Sequence, residues 1–197
     1  MSVSLRCYST SLGCPKNRVD TERLLGSLGV ALVPVESPDE AELVFINTCA
    51  FIQPATEESV RTIAQAIADI EELPKRPLLA VAGCLVGRYH AEDLAPELPE
   101  VDLWLDNSDL EAWPAMLARK LGLPEPTVPG RILSTGPSYA WLKISDGCRH
   151  ACSFCAIPNI RGGHRSHCKD MIVREARALL DQGVKELNLV AQDLTEW

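Results

Sequence analysis

The stretch "LVFINTCAFIQPATEESVRTIAQAIADI", residues 43–70, contains one complete strand-and-helix unit. Its first residues, 43–46, are continuously apolar, which is typical of a strand buried on both faces of a parallel sheet. A helix is predicted over 54–73, where three isoleucines recur at helical spacing. Pro54 at its start supports this, because proline is favoured in the first turn of a helix. The stretch therefore predicts a buried strand that is followed at once by a helix.

The same alternation of strands and helices extends over the first 121 residues. Helical patterns separate or follow the predicted strands, and such alternation argues for a mainly parallel sheet with helices on both faces. We therefore predict an open α/β domain over residues 1–121. Its strands are expected at 3–8, 30–35, 43–46, 78–82 and 101–105, and its helices at 19–28, 54–73, 88–94 and 109–121.

Two further segments follow this first domain. Residues 122–138 hold four prolines and three glycines, which is the composition of a linker. Residues 139–197 begin with a strand in "YAWLKIS", continue through an amphipathic helix at 169–182 and reach a second strand in "KELNLVA". This is one βαβ unit, and two strands cannot close a repeated β/α barrel. We therefore interpret 139–197 as a second α/β domain that is incomplete in this sequence.

The composition is that of a globular protein, with 46% apolar residues and a net charge of −8. The charge is uneven, since residues 1–130 carry 10 Lys and Arg against 20 Asp and Glu, whereas residues 131–197 carry 9 against 7. No apolar run reaches the length of a membrane helix, and the N-terminus lacks the anatomy of a signal peptide. We therefore expect a cytoplasmic location and no membrane partner. In a reducing compartment, the eight cysteines are expected to be metal ligands or catalytic groups rather than disulfides.

Three cysteines lie close together in "SDGCRHACSFCAIP", residues 145–158. Cys148, Cys152 and Cys155, the loop set, supply three thiolates from one loop. A [4Fe–4S] cluster ordinarily has four cysteine ligands, so three of them leave one iron open to chelate a small molecule. The alternatives are a zinc site completed by a histidine or by Cys168, and a cluster completed by Cys168. The histidines in question are His150 and His164.

Three other cysteines each follow a predicted strand. They are Cys14 in "SLGCPKN", Cys49 in "FINTCAFI" and Cys84 in "AVAGCL", the strand-end set. The carboxyl ends of the strands of an open α/β sheet meet at one crevice, so we expect these cysteines to meet in space. Taken alone, they are also explained as small buried hydrophobic residues, the interpretation that we give to Cys7 inside a strand. Six cysteines in two sets of three are a strong indication of metal binding.

The loop set and its surroundings resemble the radical S-adenosylmethionine superfamily. Phe154, an aromatic residue, precedes the last cysteine, and the loop directly follows a strand. The longer segment "YAWLKISDGCRHACSFCAIPNIRGGHRS" is similar to the methylthiotransferase branch of that superfamily. The segments "SLGCPKN", "INTCAFIQPATEES" and "GCLVGRYHAEDLAPELPEVD" resemble the members of that branch that modify a ribosomal protein. This resemblance covers essentially the whole sequence.

The resemblance implies two [4Fe–4S] clusters and S-adenosyl-L-methionine as cofactors. The loop set would hold the cluster whose open iron binds S-adenosylmethionine and yields a 5′-deoxyadenosyl radical. The strand-end set would hold an auxiliary cluster that carries or relays the inserted sulfur. An incomplete β/α barrel of the radical S-adenosylmethionine type is accordingly expected over 139–197.

Other residues acquire roles from the same resemblance. Phe154 would lie near the adenine side of the cofactor, with simple core packing as the alternative. Gln192, at the end of the second strand of the βαβ unit, would contact the cofactor, because barrel enzymes place ligand contacts there. Asn17 and residues 47–48 would hydrogen-bond near the cluster sulfurs and tune the potential. Arg161 and Arg165 are interpreted as solvated surface residues, with contact to an acidic substrate or to a cofactor carboxylate as the alternative. No catalytic side chain is assigned.

The ribosomal-protein branch adds a methylthio group to the β-carbon of an aspartate in small-subunit ribosomal protein number twelve. The implied partners are that protein or the assembled subunit, and an electron donor of the flavodoxin or ferredoxin type. A monomer is expected. One alternative is methylthiolation of adenosine in transfer RNA, which the acidity of residues 1–130 opposes because it would repel phosphates. The other is a catalytically incomplete iron–sulfur or sulfur-carrier fragment.

Overall fold

The computed structural model describes residues 4–197, and its larger sheet has five strands. Their order is β2-β1-β3-β4-β5, and every pair is parallel. The predicted open parallel sheet is therefore confirmed, although residue 3, the first of the strand predicted at 3–8, lies outside the described residues. The strands are β1 (Ser4–Ser11), β2 (Ala31–Pro34), β3 (Leu43–Thr48), β4 (Leu78–Gly83) and β5 (Leu103–Leu105).

Helices cover both faces of this sheet. They are α1 (Pro15–Ser27), α2 (Gln53–Ile70), α3 (Cys84–Tyr89), α4 (Ala91–Leu94) and α5 (Trp113–Leu121), with 3-10 turns at Pro38–Glu40 and Asn107–Asp109. Helices α1 and α5 pack on one face, and α2 and α3 pack on the other, which confirms the predicted layers. Strand β3 is buried along its whole length, which explains its continuous apolar sequence. Within residues 4–197, no helix has both the length and the apolar character needed to cross a bilayer.

Several helix boundaries differ from the sequence prediction. The helix predicted at 88–94 is two helices, α3 and α4, the first of which begins at Cys84, and α5 begins at Trp113 rather than at residue 109.

Two further differences follow from proline. Helix α1 begins at Pro15 rather than at residue 19, because proline fits the first helical position directly after Cys14. Helix α2 ends at Ile70 rather than at residue 73. Leu73 precedes a proline, and that neighbour disfavours the helical conformation for it.

The second part of the chain contains the predicted βαβ unit. Strands β6 (Tyr139–Lys143) and β9 (Glu186–Val190) pair in parallel, and helix α7 (Lys169–Asp181) connects them. Between β6 and α7 the chain forms a short helix and a two-residue antiparallel pair. These are β7 (Ser145–Asp146), α6 (Ile157–Arg161) and β8 (Arg165–Ser166). The loop set therefore lies between β7 and α6.

A buried lysine joins α1 to the second part of the chain. Lys143, at the end of β6, has no exposed surface. Its ammonium hydrogen-bonds to the Asp20 carboxylate on α1 and to Asp146 Oδ2, the latter at 2.8 Å. A buried charge is tolerated only when it is paired, so these contacts fix β6 against α1.

The proline-rich segment at 122–138 runs along α1. The Arg131 guanidinium, with only 6% of its side chain exposed, lies 2.7 Å from Glu22 Oε2 and 2.8 Å from Glu175 Oε1. The backbone also approaches closely, since a Cβ at Gly26 would lie 2.5 Å from Arg131 Cα. Arg131 thereby ties α1 to α7 through ion pairs with both helices.

Gly83, the last residue of β4, gives the first testable prediction. Its φ is +98°, and a Cβ there would press on Asn47 Oδ1 and lie 2.5 Å from the Thr48 carbonyl oxygen. We expect Gly83→Ala to lower the free energy of unfolding by about 3 kcal/mol, because backbone strain and steric overlap add. Urea denaturation of the metal-free chain measures this loss.

Gly122 provides the matched control for that experiment. Its φ is +67°, but a Cβ there would meet nothing within 4 Å. Gly122→Ala should therefore cost only the backbone strain, about 1 kcal/mol. Equal losses for the two variants would contradict the close approach at Gly83.

Candidate functional site

The strand-end set lies at one edge of the five-stranded sheet. Its cysteines follow β1, β3 and β4, which are neighbours in the sheet and run parallel. Cys14 is the N-cap of α1, Cys49 comes directly after β3, and Cys84 is the first residue of α3. The strand order thus brings together three residues that the sequence separates by 35 positions each.

Close backbone contacts hold Cys49 in this edge. Its N–H donates to Ser59 Oγ on α2 at 3.0 Å, and the Ser59 hydroxyl donates to the Cys49 carbonyl at 2.7 Å. Gly13 approaches from the other side, since a Cβ there would lie 2.6 Å from Cys49 Sγ. The φ of Gly13 is +84°, so both the space and the backbone conformation favour glycine. Cys49 and Cys84 are buried, whereas Cys14 is half-buried.

Cys49 and Cys84 are neighbours whose acidities differ. The Cys84 thiol donates to Asn17 Oδ1 across 3.8 Å. The neighbouring Cys84 thiol lowers the pKa of Cys49, whereas Cys49 and burial raise the pKa of Cys84. The Arg161 guanidinium favours the thiolate form of both side chains. The thiolate is the form that ligates metals, so the geometry prepares Cys49 for that role.

Asn17 is a buried polar residue that hydrogen-bonds to the backbone around these cysteines. It is fully buried, and its Nδ2 donates to the Leu12 carbonyl at 2.9 Å and the Thr48 carbonyl at 2.8 Å. Its Oδ1 accepts a hydrogen bond from Arg161 and lies 3.8 Å from Cys84 Sγ. The structure therefore places Asn17 next to the strand-end set, as the sequence analysis predicted.

The loop set is more open than the strand-end set. Cys152 is exposed, and Cys148 and Cys155 are half-buried. The base of the loop is closed by a hydrogen bond from the Cys148 N–H to the Gly162 carbonyl at 3.2 Å. The loop therefore holds its cysteines at the surface while its two ends stay in contact.

Charged residues at 193–196 surround the histidine of this loop. His150 Nε2 lies 2.9 Å from Asp193 Oδ2, and Arg149 Nε lies 2.7 Å from Glu196 Oε1. His164 Nδ1 is 3.8 Å from Glu196 Oε2. His150 therefore has a carboxylate partner, whereas His164 Nδ1 has no hydrogen-bond partner among the described residues.

Neither cysteine set has the geometry of a single-ion site. A zinc ion that bonds each sulfur at 2.3 Å would hold its ligands about 3.8 Å apart. Within residues 4–197, the only group of at least three His, Cys, Asp or Glu side chains whose ligand atoms all lie within 4.8 Å is His150, Asp193 and Glu196. In each set at least one sulfur–sulfur distance therefore exceeds 4.8 Å, which suits a larger group, such as an iron–sulfur cluster with one cysteine at each of several irons.

Two predicted cofactor contacts have distinct surroundings. The Phe154 side chain is 87% exposed, so the alternative that it packs in the core is wrong. Gln192 Nε2 donates to Asp146 Oδ1 at 3.0 Å, whereas its Oε1 is buried without a hydrogen-bond partner among the described residues. Gln192 therefore lies beside the residue that precedes the loop set by two positions.

The two remaining cysteines lie outside both sets. Cys7 is buried in the core under the sheet, as predicted, and burial raises the pKa of its thiol to about 12. Cys168 is exposed at the N-cap of α7. A buried thiol with a raised pKa is unreactive, so Cys7 acts in packing.

The interpretation of Arg161 as a solvated surface residue was wrong. Its side chain is 2% exposed, and its Nη1 lies 3.1 Å from Asp20 Oδ2 and 3.1 Å from both Asp146 oxygens. Together with Lys143, these three residues form what we call the junction network. Burial alone would raise the pKa of Asp146, but Lys143 and Arg161 hold it well below its usual range.

Sequence reasoning missed this network, although one signal was present. Lys143 interrupts the apolar strand "YAWLKIS", and a charge inside a buried strand requires a partner. The identity of that partner was not visible, because Asp20 lies 123 positions away in the chain.

The fold and the cysteine sets place the chain among α/β proteins with candidate metal sites, and a comparison with known protein families narrows this class to one family. A family model described as uncharacterized protein family UPF0004 matches residues 6–106, about half of the chain and the part that holds the strand-end set. The chain belongs to this family.

Individual relatives extend the likeness over both cysteine sets. Ribosomal protein uS12 methylthiotransferase RimO of Nitratidesulfovibrio vulgaris (strain DP4) is 70% identical over 190 residues, which are 96% of this chain and 44% of the relative. The protein of the same name from Lawsonia intracellularis is 58% identical over 100% of this chain and 45% of its own length. That from Aquifex aeolicus is 50% identical over 94% and 40%. The chain spans less than half of the length of these curated relatives.

Asn17 gives a prediction for the strand-end edge. Asn17→Ala removes the donor to two buried carbonyls and the acceptor for Arg161, so we expect a loss of about 3 kcal/mol in unfolding free energy. Asn188→Ala is the control, because Asn188 bonds only to the exposed Glu186 side chain and should cost less than about 0.5 kcal/mol. Urea denaturation of both variants measures the difference, and a similar small loss for both would refute the assigned role of Asn17.

His167 gives a prediction for the dependence of stability on pH. Burial, assisted by Arg23 and Lys143, lowers the pKa of His167 to about 4, against an ordinary value of about 6.5. Between these values the unfolded chain binds more protons, so stability is complete above pH 6.5 and falls as the pH drops towards 4.

The expected loss between pH 7 and pH 5 is about 1 kcal/mol, after allowance for the partial exposure of the ring. Urea denaturation of the metal-free chain at the two pH values measures it. His167→Asn removes the titrating group, and its stability should fall by about 1 kcal/mol less over the same range. An identical pH dependence in the two proteins would exclude His167 as the cause.

Proposed function

We propose that this chain holds two [4Fe–4S] clusters and serves in a radical S-adenosylmethionine methylthiotransferase that modifies ribosomal protein uS12. The observation that carries the proposal is the convergence of the strand-end set at the carboxyl ends of three neighbouring strands. That convergence brings the three cysteines of the strand-end set to one place. The short spacing within the loop does the same for the loop set. Relatives that match both sets are called ribosomal protein uS12 methylthiotransferase, which supports the same activity for this chain.

Each set has three cysteines, so a four-iron cluster held by it keeps one iron without a protein thiolate. When bound, the clusters and S-adenosylmethionine supply the radical needed to remove hydrogen from an unactivated carbon. The chain's own residues bind and orient these groups. The exposed Phe154 ring is free to meet the adenine of the cofactor, and Gln192 has an unpartnered oxygen that suits a donor on the same ligand.

The difference in exposure between the sets suits different tasks. The loop set lies at the surface, where a small molecule has access to an open iron. The strand-end set is more enclosed, with Cys49 and Cys84 buried, which suits a cluster that holds or relays sulfur. We assign these tasks to residues 139–197 and 1–121 respectively, with 122–138 between them.

The proposed substrate is an aspartate of uS12, modified at its β-carbon, in the free protein or in the assembled small subunit. An electron donor of the flavodoxin or ferredoxin type and a cytoplasmic location complete the proposal. The excess of acidic residues over 1–130 supports a protein substrate over transfer RNA, because these charges would repel phosphates.

Iron and sulfide analysis after anaerobic reconstitution tests the proposed clusters. We expect about eight irons per chain, and about four after either set is replaced by alanine. Electron paramagnetic resonance should respond to S-adenosylmethionine in the parent chain and in C14A/C49A/C84A. The response should be lost in C148A/C152A/C155A, because the loop set holds the iron that binds the cofactor.

Cys168→Ala is the control, since Cys168 is exposed and belongs to neither set. It should keep all of the iron and the full spectral response. Stoichiometric zinc in place of iron would refute the proposal. About four irons that do not respond to S-adenosylmethionine would instead support a sulfur-carrier function.

The substrate is tested in cells with and without the gene. Mass spectrometry should find a methylthio group on an aspartate of uS12 only when the gene is present. A methylthio group that depends on the gene but occurs on transfer RNA would favour the nucleic-acid alternative.

A further inference from the structure

Arg161 lies between the two cysteine sets and contacts the surroundings of both. It is the last residue of α6, and the next residue, Gly162, accepts the hydrogen bond from the Cys148 N–H at 3.2 Å. Its side chain points the other way, to Asn17 Oδ1, which lies 3.8 Å from Cys84 Sγ. One residue thus connects the base of the loop set to the strand-end set.

The carboxylates of the junction network fix the direction of this side chain. Asp20 and Asp146 both contact Nη1 of Arg161 at 3.1 Å, which leaves Nη2 to donate to Asn17. A guanidinium is planar and permanently charged, so contacts at one nitrogen set the orientation of the other. Nη2 of the guanidinium therefore faces Asn17 beside the strand-end set, while the two counter-ions contact Nη1.

Arg161 is also buried, which strengthens its effect on its neighbours. Its side chain is 2% exposed, and little water screens its charge from the thiols. Asn17 Oδ1 accepts hydrogen bonds from both Arg161 and the Cys84 thiol, so the charge of Arg161 lies close to the strand-end set.

We propose that Arg161 is a positioning residue that orients Asn17 and supplies the positive charge that raises the reduction potential of the cluster held by the strand-end set. The inference rests on the proposed function, because it requires a cluster at that set. Reduction adds one negative charge to a cluster, and a nearby buried cation stabilises the reduced form. Net charge and hydrogen bonding are established determinants of iron–sulfur potentials.

The test is a redox titration of the strand-end cluster alone. The parent is the full chain with the loop set replaced by alanine, reconstituted with iron and sulfide and monitored by electron paramagnetic resonance. Arg161→Gln in this parent should make the reduced form at least tenfold less populated at a given potential. For one electron this corresponds to a shift of about 59 mV towards more negative values.

Two matched variants separate the charge from a merely structural role. Arg161→Lys keeps the charge and should restore most of the potential. Asp20→Asn disturbs the same network but leaves the cation in place, so it should not make the potential more negative. An unchanged potential in Arg161→Gln, or an equal negative shift in Asp20→Asn, would overturn the inference.

Arg161→Gln leaves two buried carboxylates with Lys143 as the one remaining cation of the junction network, so this variant is at risk of not folding. The double variant Asp20→Asn/Arg161→Gln removes one charge of each sign and keeps the network balanced. Its potential should be more negative than that of Asp20→Asn, because the two variants differ only in the charge of Arg161, and equal potentials would again overturn the inference. Failure of the proposed function is distinguishable, because the parent itself would then bind no iron.

Discussion

Four charged side chains with almost no access to solvent hold the two parts of the chain together. Asp20, Lys143, Asp146 and Arg161 each expose 4% or less of their side chains. Removing one partner from such a group costs about 3 to 5 kcal/mol, because the others are left buried and unpaired. The two cations and two carboxylates therefore admit few arrangements of α1 against β6 and α6. The relative position of the two cysteine sets depends on this constraint.

The edge that holds the strand-end set follows from simpler rules. Parallel strands end on the same side of a sheet, so residues just beyond β1, β3 and β4 become neighbours. Two glycines with positive φ, Gly13 and Gly83, allow the backbone to approach this edge more closely than any side chain would permit. Backbone geometry thus holds the cysteines. Asn17 donates a hydrogen bond to the Thr48 carbonyl, and Ser59 accepts one from the Cys49 N–H.

The two sets differ in how their protein surroundings are built. The loop set comes from one short segment and lies at the surface, where it remains accessible to a small ligand. The strand-end set combines three βα units and includes two buried thiols. Arg161 contacts Asn17 beside one set, while the backbone that follows it closes the base of the other. A single residue therefore gives the two sites a common structural support.

The amino-acid sequence by itself determined the alternation of strands and helices, the open parallel sheet and the two groups of three cysteines. These features depend on local periodicity, on spacing and on the rule that parallel strands end together. The buried state of Arg161, its contact with Asn17 and the contact of Asn17 with Cys84 were decided only by the tertiary structure. Arg161 meets Asn17 across 144 positions of the chain, and Lys143 meets Asp20 across 123. No local pattern encodes such pairs, because their partners are chosen by the packing of whole elements.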